Sequence, residues 1–288
     1  MKISVTLLSS YLYCSRKLFL EKVLQLEEPP KESLVLGSIR HEIYDMINKD
    51  EQNIVSSIAK EHTDEHIKSI YRGNYSRKAK ETILRNRQRI REIDMDMAQA
   101  FTRTWPYLIQ EAEERSANLS SFIQKNKIYG KELWNKLTPK IMSEIRVESE
   151  KLQLKGIIDR IEVHENGIVP IELKTGKAPK EGMWPGHRVQ IAAYALLLEE
   201  DRNVTIKEGF INYLDSREKR HLSMNPFMRE EVLNLVKEVQ ELLESRILPN
   251  YTDNRNKCTN CSLRRNCYDE EEMSSLVSGL AANSIQNI

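Results

Sequence analysis

Apolar positions change period along the chain, and each change marks an element. Residues 4–26 place Leu8, Tyr11, Leu12, Leu18 and Phe19 at helical intervals, with Ser9 or Ser10 as candidate caps, which predicts a short helix. Over 34–48, Ile39, Ile43, Met46 and Ile47 recur three and four apart, predicting a helix that starts near Gly37 and carries His41 one turn in. From about 50 to 140, Gly and Pro are nearly absent and Lys, Arg, Glu, Gln, Ile and Met dominate, a helical composition throughout. From 141 the chain becomes rich in Ile and Val and contains Asn166-Gly167, the signature of strands joined by a hairpin. A helix over 187–200 and strands over 208–214 and 218–224 complete a β-β-α-β-β order. The helix over 225–245 has Asn225 as cap and Pro226 at its first position, with Met228, Val232, Leu235, Val236, Val239, Leu242 and Leu243 on one face. The stretch from 270 onward has few anchors and is expected to fray.

These elements in 288 residues suggest about two compact units, or one unit with a large insertion. The expected organisation is an N-terminal helix in 1–36, a helical region in 37–140, an α/β core in 141–224, and a helix with a cysteine-rich end in 225–288. Forty-four basic residues against forty-three acidic ones leave a net charge of +1, so any polyanionic partner must be met by a local patch. No apolar run reaches the length of a membrane span. Tyr13 before Cys14, without a small-residue cleavage pattern, argues against a signal peptide or lipid anchor. The expected location is the cytoplasm, where cysteines hold metals more often than they form disulfides.

The densest chemistry lies in "GIIDRIEVHENGIVPIELKTGK", residues 156–177. A turn at Glu165-Asn166 puts Asp159 opposite Glu172, whereas a turn at Asn166-Gly167, the better type I′ candidate, puts it opposite Lys174. Either register gathers Asp159, Glu172 and Lys174 on one face. Two carboxylates on strands flanked by Ile157, Ile158, Ile161, Ile171 and Leu173 are costly unless a cation neutralises them. Hard oxygen ligands suit Mg²⁺ or Mn²⁺, and a neighbouring lysine can hold an attacking water or offset charge on a phosphate. The alternative is a cross-strand salt bridge on a solvated face. Glu144 and Glu148, on the preceding strand, fit either supporting acids or a solvated face. Pro170 cannot donate to a ladder and suggests an edge or a bulge near the site.

The four cysteines form one possible set, Cys14 and then Cys258-x2-Cys261-x5-Cys267. Four thiolates satisfy one zinc or one iron-sulfur cluster. The one-plus-three spacing fits a [4Fe-4S] cluster better than the paired knuckles of structural zinc, and such a cluster would clasp the two ends of the chain. In "YRGNYSRKAKETILRNRQRIR", residues 71–91, Arg72, Arg77, Lys78, Lys80, Arg85, Arg87, Arg89 and Arg91 face one acid, Glu81. Such a run neutralises phosphates without reading bases, and Tyr71, Tyr75 and Trp105 are candidates to stack on unpaired bases. A solvated helical face is the alternative. The chain has no G-x4-GK[ST] phosphate loop.

Asp159 followed by Glu172-Leu173-Lys174, preceded by Gly37-x3-His41 and followed by Gln190-x3-Tyr194, resembles the RecB-type branch of the PD-(D/E)xK nuclease superfamily. With Cys14 and "CTNCSLRRNC" added, the chain is similar to the CRISPR-associated iron-sulfur exonucleases. Ile158 stands where the superfamily has proline. The resemblance implies a restriction-endonuclease-like core, a mixed sheet flanked by helices, with a large helical insertion and an iron-sulfur clasp. It implies Mn²⁺ or Mg²⁺ ligated by His41, Asp159, Glu172 and the Leu173 carbonyl, with Lys174 catalytic and Gln190 and Tyr194 positioning DNA or Lys174. It also implies a DNA exonuclease acting on single strands or overhangs during CRISPR spacer acquisition, beside an integrase; Arg85, Arg87, Arg89, Arg91 and Tyr75 would guide the DNA. Two alternatives are a stand-alone repair nuclease and a non-catalytic iron-sulfur DNA-binding scaffold. No interface is specified, and oligomerisation is compatible with all three.

Overall fold

The computed structural model describes residues 1–282. A two-residue strand β1 (Ile3–Ser4) leads into α1 (Val5–Tyr13), and the extended backbone of Cys14 separates it from α2 (Ser15–Lys22). The expected single N-terminal helix is therefore two, and Ser4 rather than Ser9 or Ser10 takes the cap position. Five helices follow: α3 (Glu32–Ser56), α4 (Asp64–Arg85), α5 (Arg87–Arg91), α6 (Met97–Asn126) and α7 (Gly130–Lys136). Thr63 caps α4 by accepting from the His66 amide, and Asp96 with Gln99 forms a capping box on α6. Strands β2 (Lys140–Ser149), β3 (Leu154–His164) and β4 (Gly167–Lys174) precede α8 (Pro185–Arg202), β5 (Glu208–Tyr213) and β6 (Glu218–Ser223). The chain continues through α9 (Pro226–Glu244), where Asn225 accepts from the Met228 amide as expected, then α10 (Asn256–Thr259), α11 (Arg264–Tyr268) and α12 (Glu270–Ala282).

The sheet order is β1-β3-β4-β5-β6, with β2 also paired to β3; β1 runs parallel to β3, while β3–β4 and β5–β6 are antiparallel, so the sheet is mixed. Arg160 pairs with Ile171 and His164 with Gly167, which puts the turn at Glu165-Asn166. The type I′ register at Asn166-Gly167 is therefore not adopted, and Gly167 opens β4 instead. Pro170 stands opposite Ile161 in a strand placed between β3 and β5, so it is not on an edge strand.

The chain divides into two compact units, both assembled from separate segments. One comprises 30–145 and 158–171, the other 1–29, 146–157 and 172–288, so β2, β3 and β4 each run through both. In the first, α3 packs on α4 and α7 and α4 on α6, burying Ile39, Ile43, Ile47, Ile83, Leu108 and Leu119. In the second, α8 packs on α1 and α9. A Cβ at Gly156 would lie 2.7 Å from Tyr194 Cε1, so β3 passes the Tyr194 ring at a distance only glycine allows. The C-terminal helix is anchored where fraying was expected: Met273 packs with Leu20 and Leu263. The rest of the expected frayed tail, from 283 on, lies outside the described residues.

Candidate active site

In the first unit, the apolar stripe of α3 turns inward and leaves His41 at its margin, with its side chain 42% exposed. Its Nδ1 lies 2.7 Å from Glu144 Oε1 on β2 and 3.6 Å from Asp159 Oδ1 on β3. One ligand atom from each of the three lies within 4.8 Å of the others, a grouping that can hold a metal ion. Burial opposes charge on His41, but the Glu144 hydrogen bond and the Asp159 and Glu144 charges outweigh it and push its pKa up to about 9. Burial likewise raises the Glu144 carboxyl, against the lowering influence of His41. One imidazole with two carboxylates is a donor set that fits Mn²⁺ or Mg²⁺.

Glu144 is the residue that sequence reasoning undervalues. Spacing pairs it with Glu148, yet Glu148 is a surface partner of Lys2 at 3.0 Å, while Glu144 turns in to His41. The two acids part because Glu144 has a φ of 55°, in the left-handed region that side chains rarely enter, inside a strand. Period-two reasoning presupposes extended backbone and does not anticipate such a residue.

In the second unit, Lys174 Nζ donates to Glu172 Oε1 at 2.6 Å, as expected of residues two apart on one strand, and Leu173 is half-buried between them. Glu172 is the next residue beyond Ile171 on β4. Gln190 and Tyr194 share a face of α8 and are buried; Gln190 Oε1 has no hydrogen-bond partner among the described residues. His187, one turn before Gln190, receives or donates a 3.1 Å hydrogen bond with Tyr213. Burial, helped by the Lys174 charge, pushes its pKa down to about 4, so it is neutral at ordinary pH.

The same unit holds all four cysteines as free thiols lining one cavity of about 350 Å³ including its open mouth. Arg16, invisible in a cysteine count, donates from Nε to Cys267 Sγ at 3.2 Å and from Nη1 to the Pro249 carbonyl at 2.7 Å. The Lys17 amide points at Cys14 Sγ at 3.4 Å. Lys257 Nζ donates to the Tyr13 carbonyl at 2.7 Å, and Tyr13 Oη to the Lys257 carbonyl at 3.1 Å. Four thiols around one space, with N–H donors aimed at two sulfurs, fit an iron-sulfur cluster.

The basic stretch is not one helix; α4 ends at Arg85 and α5 begins at Arg87, with the buried Asn86 side chain held by Glu42 at 3.0 Å. Arg85, Arg87, Arg89 and Arg91 are exposed. Tyr75 cannot stack on a base: it is fully buried and donates to Glu111 at 3.1 Å. Tyr71 is buried as well, donating to Glu51 at 2.7 Å, and Trp105 stacks on Phe101. Helical periodicity puts these tyrosines beside arginines in sequence but on the opposite, inward face.

With the geometry in place, comparison with known proteins is decisive for the family. The model of the PD-(D/E)XK nuclease superfamily matches residues 2–268. The chain belongs to this superfamily. Within it, the chain is 32% identical over 161 residues to a CRISPR-associated exonuclease Cas4/endonuclease Cas1 fusion of Leptospira interrogans, covering 52% of this chain and 29% of that protein. It is 32% identical over 130 residues to the CRISPR-associated exonuclease Cas4 of Rhodospirillum rubrum, covering 44% and 39%. It is also 26% identical over 289 residues to the DNA replication ATP-dependent helicase/nuclease DNA2 of Gallus gallus, covering 92% and 28%. The matched part of this superfamily member therefore spans well under half the length of each of these relatives. The motif resemblance and the family model agree on the PD-(D/E)XK nuclease superfamily.

Proposed function

We propose that this chain is a metal-dependent DNA exonuclease that hydrolyses phosphodiester bonds of single-stranded DNA or overhangs. The observation that carries the reading is the convergence of His41, Glu144 and Asp159 within 4.8 Å in a member of a nuclease superfamily. His41, Asp159, Glu172 and the Leu173 carbonyl would hold Mn²⁺ or Mg²⁺. A bound divalent cation supplies Lewis acidity and neutralises charge building on the phosphate. Lys174, steadied by its 2.6 Å bond to Glu172, would orient the attacking water and offset the negative charge of the transition state. Gln190, whose Oε1 has no partner among the described residues, and Tyr194 would position Lys174 or the DNA.

Arg85, Arg87, Arg89 and Arg91 would guide the DNA backbone without reading bases. Cys14, Cys258, Cys261 and Cys267 would hold a [4Fe-4S] cluster tying the first helices to the C-terminal segment. Iron and acid-labile sulfide in anaerobically purified protein support this; stoichiometric zinc without iron overturns it. Relatives named as Cas4/Cas1 fusions support trimming of DNA ends during CRISPR spacer acquisition, an antiviral function, with an integrase as partner and the cytoplasm as the place of action.

The test is degradation of end-labelled single-stranded DNA with Mn²⁺ by the wild type and by a folded Lys174→Ala variant. Cutting that the variant and a chelator both abolish supports the reading. Binding without cutting by the wild type would replace it with the scaffold alternative.

A further inference from the structure

Glu144 and His41 are drawn together by a construction that reaches deep into the first unit. Asn48 lies two helical turns after His41 on α3, so both side chains leave the same side of the helix. Asn48 Oδ1 accepts from the Ser143 amide at 2.9 Å, and His41 Nδ1 meets Glu144 Oε1 at 2.7 Å. One helix thereby grips two consecutive residues of β2. From below, Arg115 donates from Nη1 to the Ile141 carbonyl at 3.1 Å and from Nη2 to Ser143 Oγ at 2.6 Å. Arg115 is itself paired with Glu111 at 2.8 Å and Glu51 at 3.2 Å, and Tyr75 and Tyr71 donate to those two carboxylates. The fixed points at Ile141 and Ser143 immediately precede Glu144, whose φ is 55° and whose carboxylate His41 holds, so the strand is pinned where it departs from extended backbone. Such a conformation costs roughly 1–3 kcal/mol and persists where its surroundings over-determine it.

A carboxylate can only accept, so in the neutral imidazole the hydrogen lies on Nδ1 and the lone pair on Nε2. Metal-ligating histidines are commonly oriented in this way by a carboxylate on the other ring nitrogen. We propose that Glu144 is a positioning residue for the metal centre: it selects the His41 tautomer that presents Nε2 to the cation, and the Arg115–Ser143–Asn48 network holds it there. This rests on the metal-site reading above and extends it to residues outside the superfamily motif.

The test measures Mn²⁺ affinity from the electron paramagnetic resonance signal of free Mn²⁺, without DNA or turnover. Glu144→Ala is expected to weaken binding about 10- to 100-fold, the range found when such partners are removed. Glu144→Gln keeps an acceptor for Nδ1–H and should recover most of the affinity. Asn48→Ala, which touches neither the imidazole nor any carboxylate of the trio, should weaken binding several-fold with unchanged far-UV circular dichroism. Equal losses in Glu144→Ala and Glu144→Gln would overturn the positioning role in favour of direct ligation. Unchanged affinity in Glu144→Ala would overturn it as well while leaving the metal site standing. A wild type that binds no Mn²⁺ would remove the metal-site reading and this inference together.

Discussion

Replacing Arg115 with Met tests the buried network most directly. The guanidinium is wholly buried, and its partners Glu51 and Glu111 are 6% and 5% exposed. Methionine keeps much of the apolar stem but leaves two carboxylates without the Arg115 cation and removes its donations to Ser143 Oγ and the Ile141 carbonyl. Removing one partner of a buried pair costs about 3–5 kcal/mol, and the lost donations act in the same direction. We expect a loss of about that size at pH 8. The pH dependence has a definite sign. Burial already holds the Glu51 carboxyl above its ordinary value, although Arg115 pulls it down. A carboxyl raised in the folded state binds more protons folded than unfolded between its two pKa values, so stability falls as pH rises through that window. Removing Arg115 extends the window upward, and the deficit of the variant should be smaller at pH 5 than at pH 8. Each further unit by which the carboxyl rises contributes about 1.4 kcal/mol to that difference. Urea unfolding followed by circular dichroism at the two pH values measures both quantities. A loss below about 1 kcal/mol at pH 8, or a larger deficit at pH 5, would refute the account.

Other substitutions probe the remaining parts. Gly156→Ala would put a methyl 2.7 Å from Tyr194 Cε1 and 3.1 Å from Val5 Cγ2; both neighbours are buried, so about 1–3 kcal/mol of stability should be lost, with a favourable coupling to Tyr194→Ala in a double-mutant cycle. Absence of that coupling would place the strain elsewhere. His187 titrates near 4 in the folded protein against 6.5 ordinarily, so the unfolded chain takes up its proton first as pH falls. The wild type should accordingly lose stability from about pH 6.5 downward toward pH 4, more steeply than His187→Gln. Replacing Arg87 and Arg91 by Ala should weaken single-stranded DNA binding and make log affinity fall less steeply with log salt, by about 1 in slope for each phosphate no longer neutralised; an unchanged slope would show that α5 does not meet the backbone.

Much of the protein was legible in its residues because the signals were local. The cap at Asn225, the strands from 140 to 174 and the helix carrying Gln190 and Tyr194 follow from side-chain periodicity and turn chemistry, which depend on neighbours a few positions away. The spacing of Asp159, Glu172 and Lys174 and the set of four cysteines were readable for the same reason: residue type and interval carry the chemistry before any folding. Tertiary structure decided which of two hairpin registers the strands adopt: both keep each side chain on the same face, so the alternation of faces is blind to the choice, and the preference of Asn-Gly for a tight turn does not prevail. It also decided that Tyr71 and Tyr75 belong to a buried ion network and not to a DNA surface, since a helix has two faces and only its neighbours select which is wet. Glu144 is the furthest case. Its inward turn depends on a backbone conformation held by Arg115 and Asn48, distant in sequence, and a long-range constraint of that kind leaves no periodic trace along the chain.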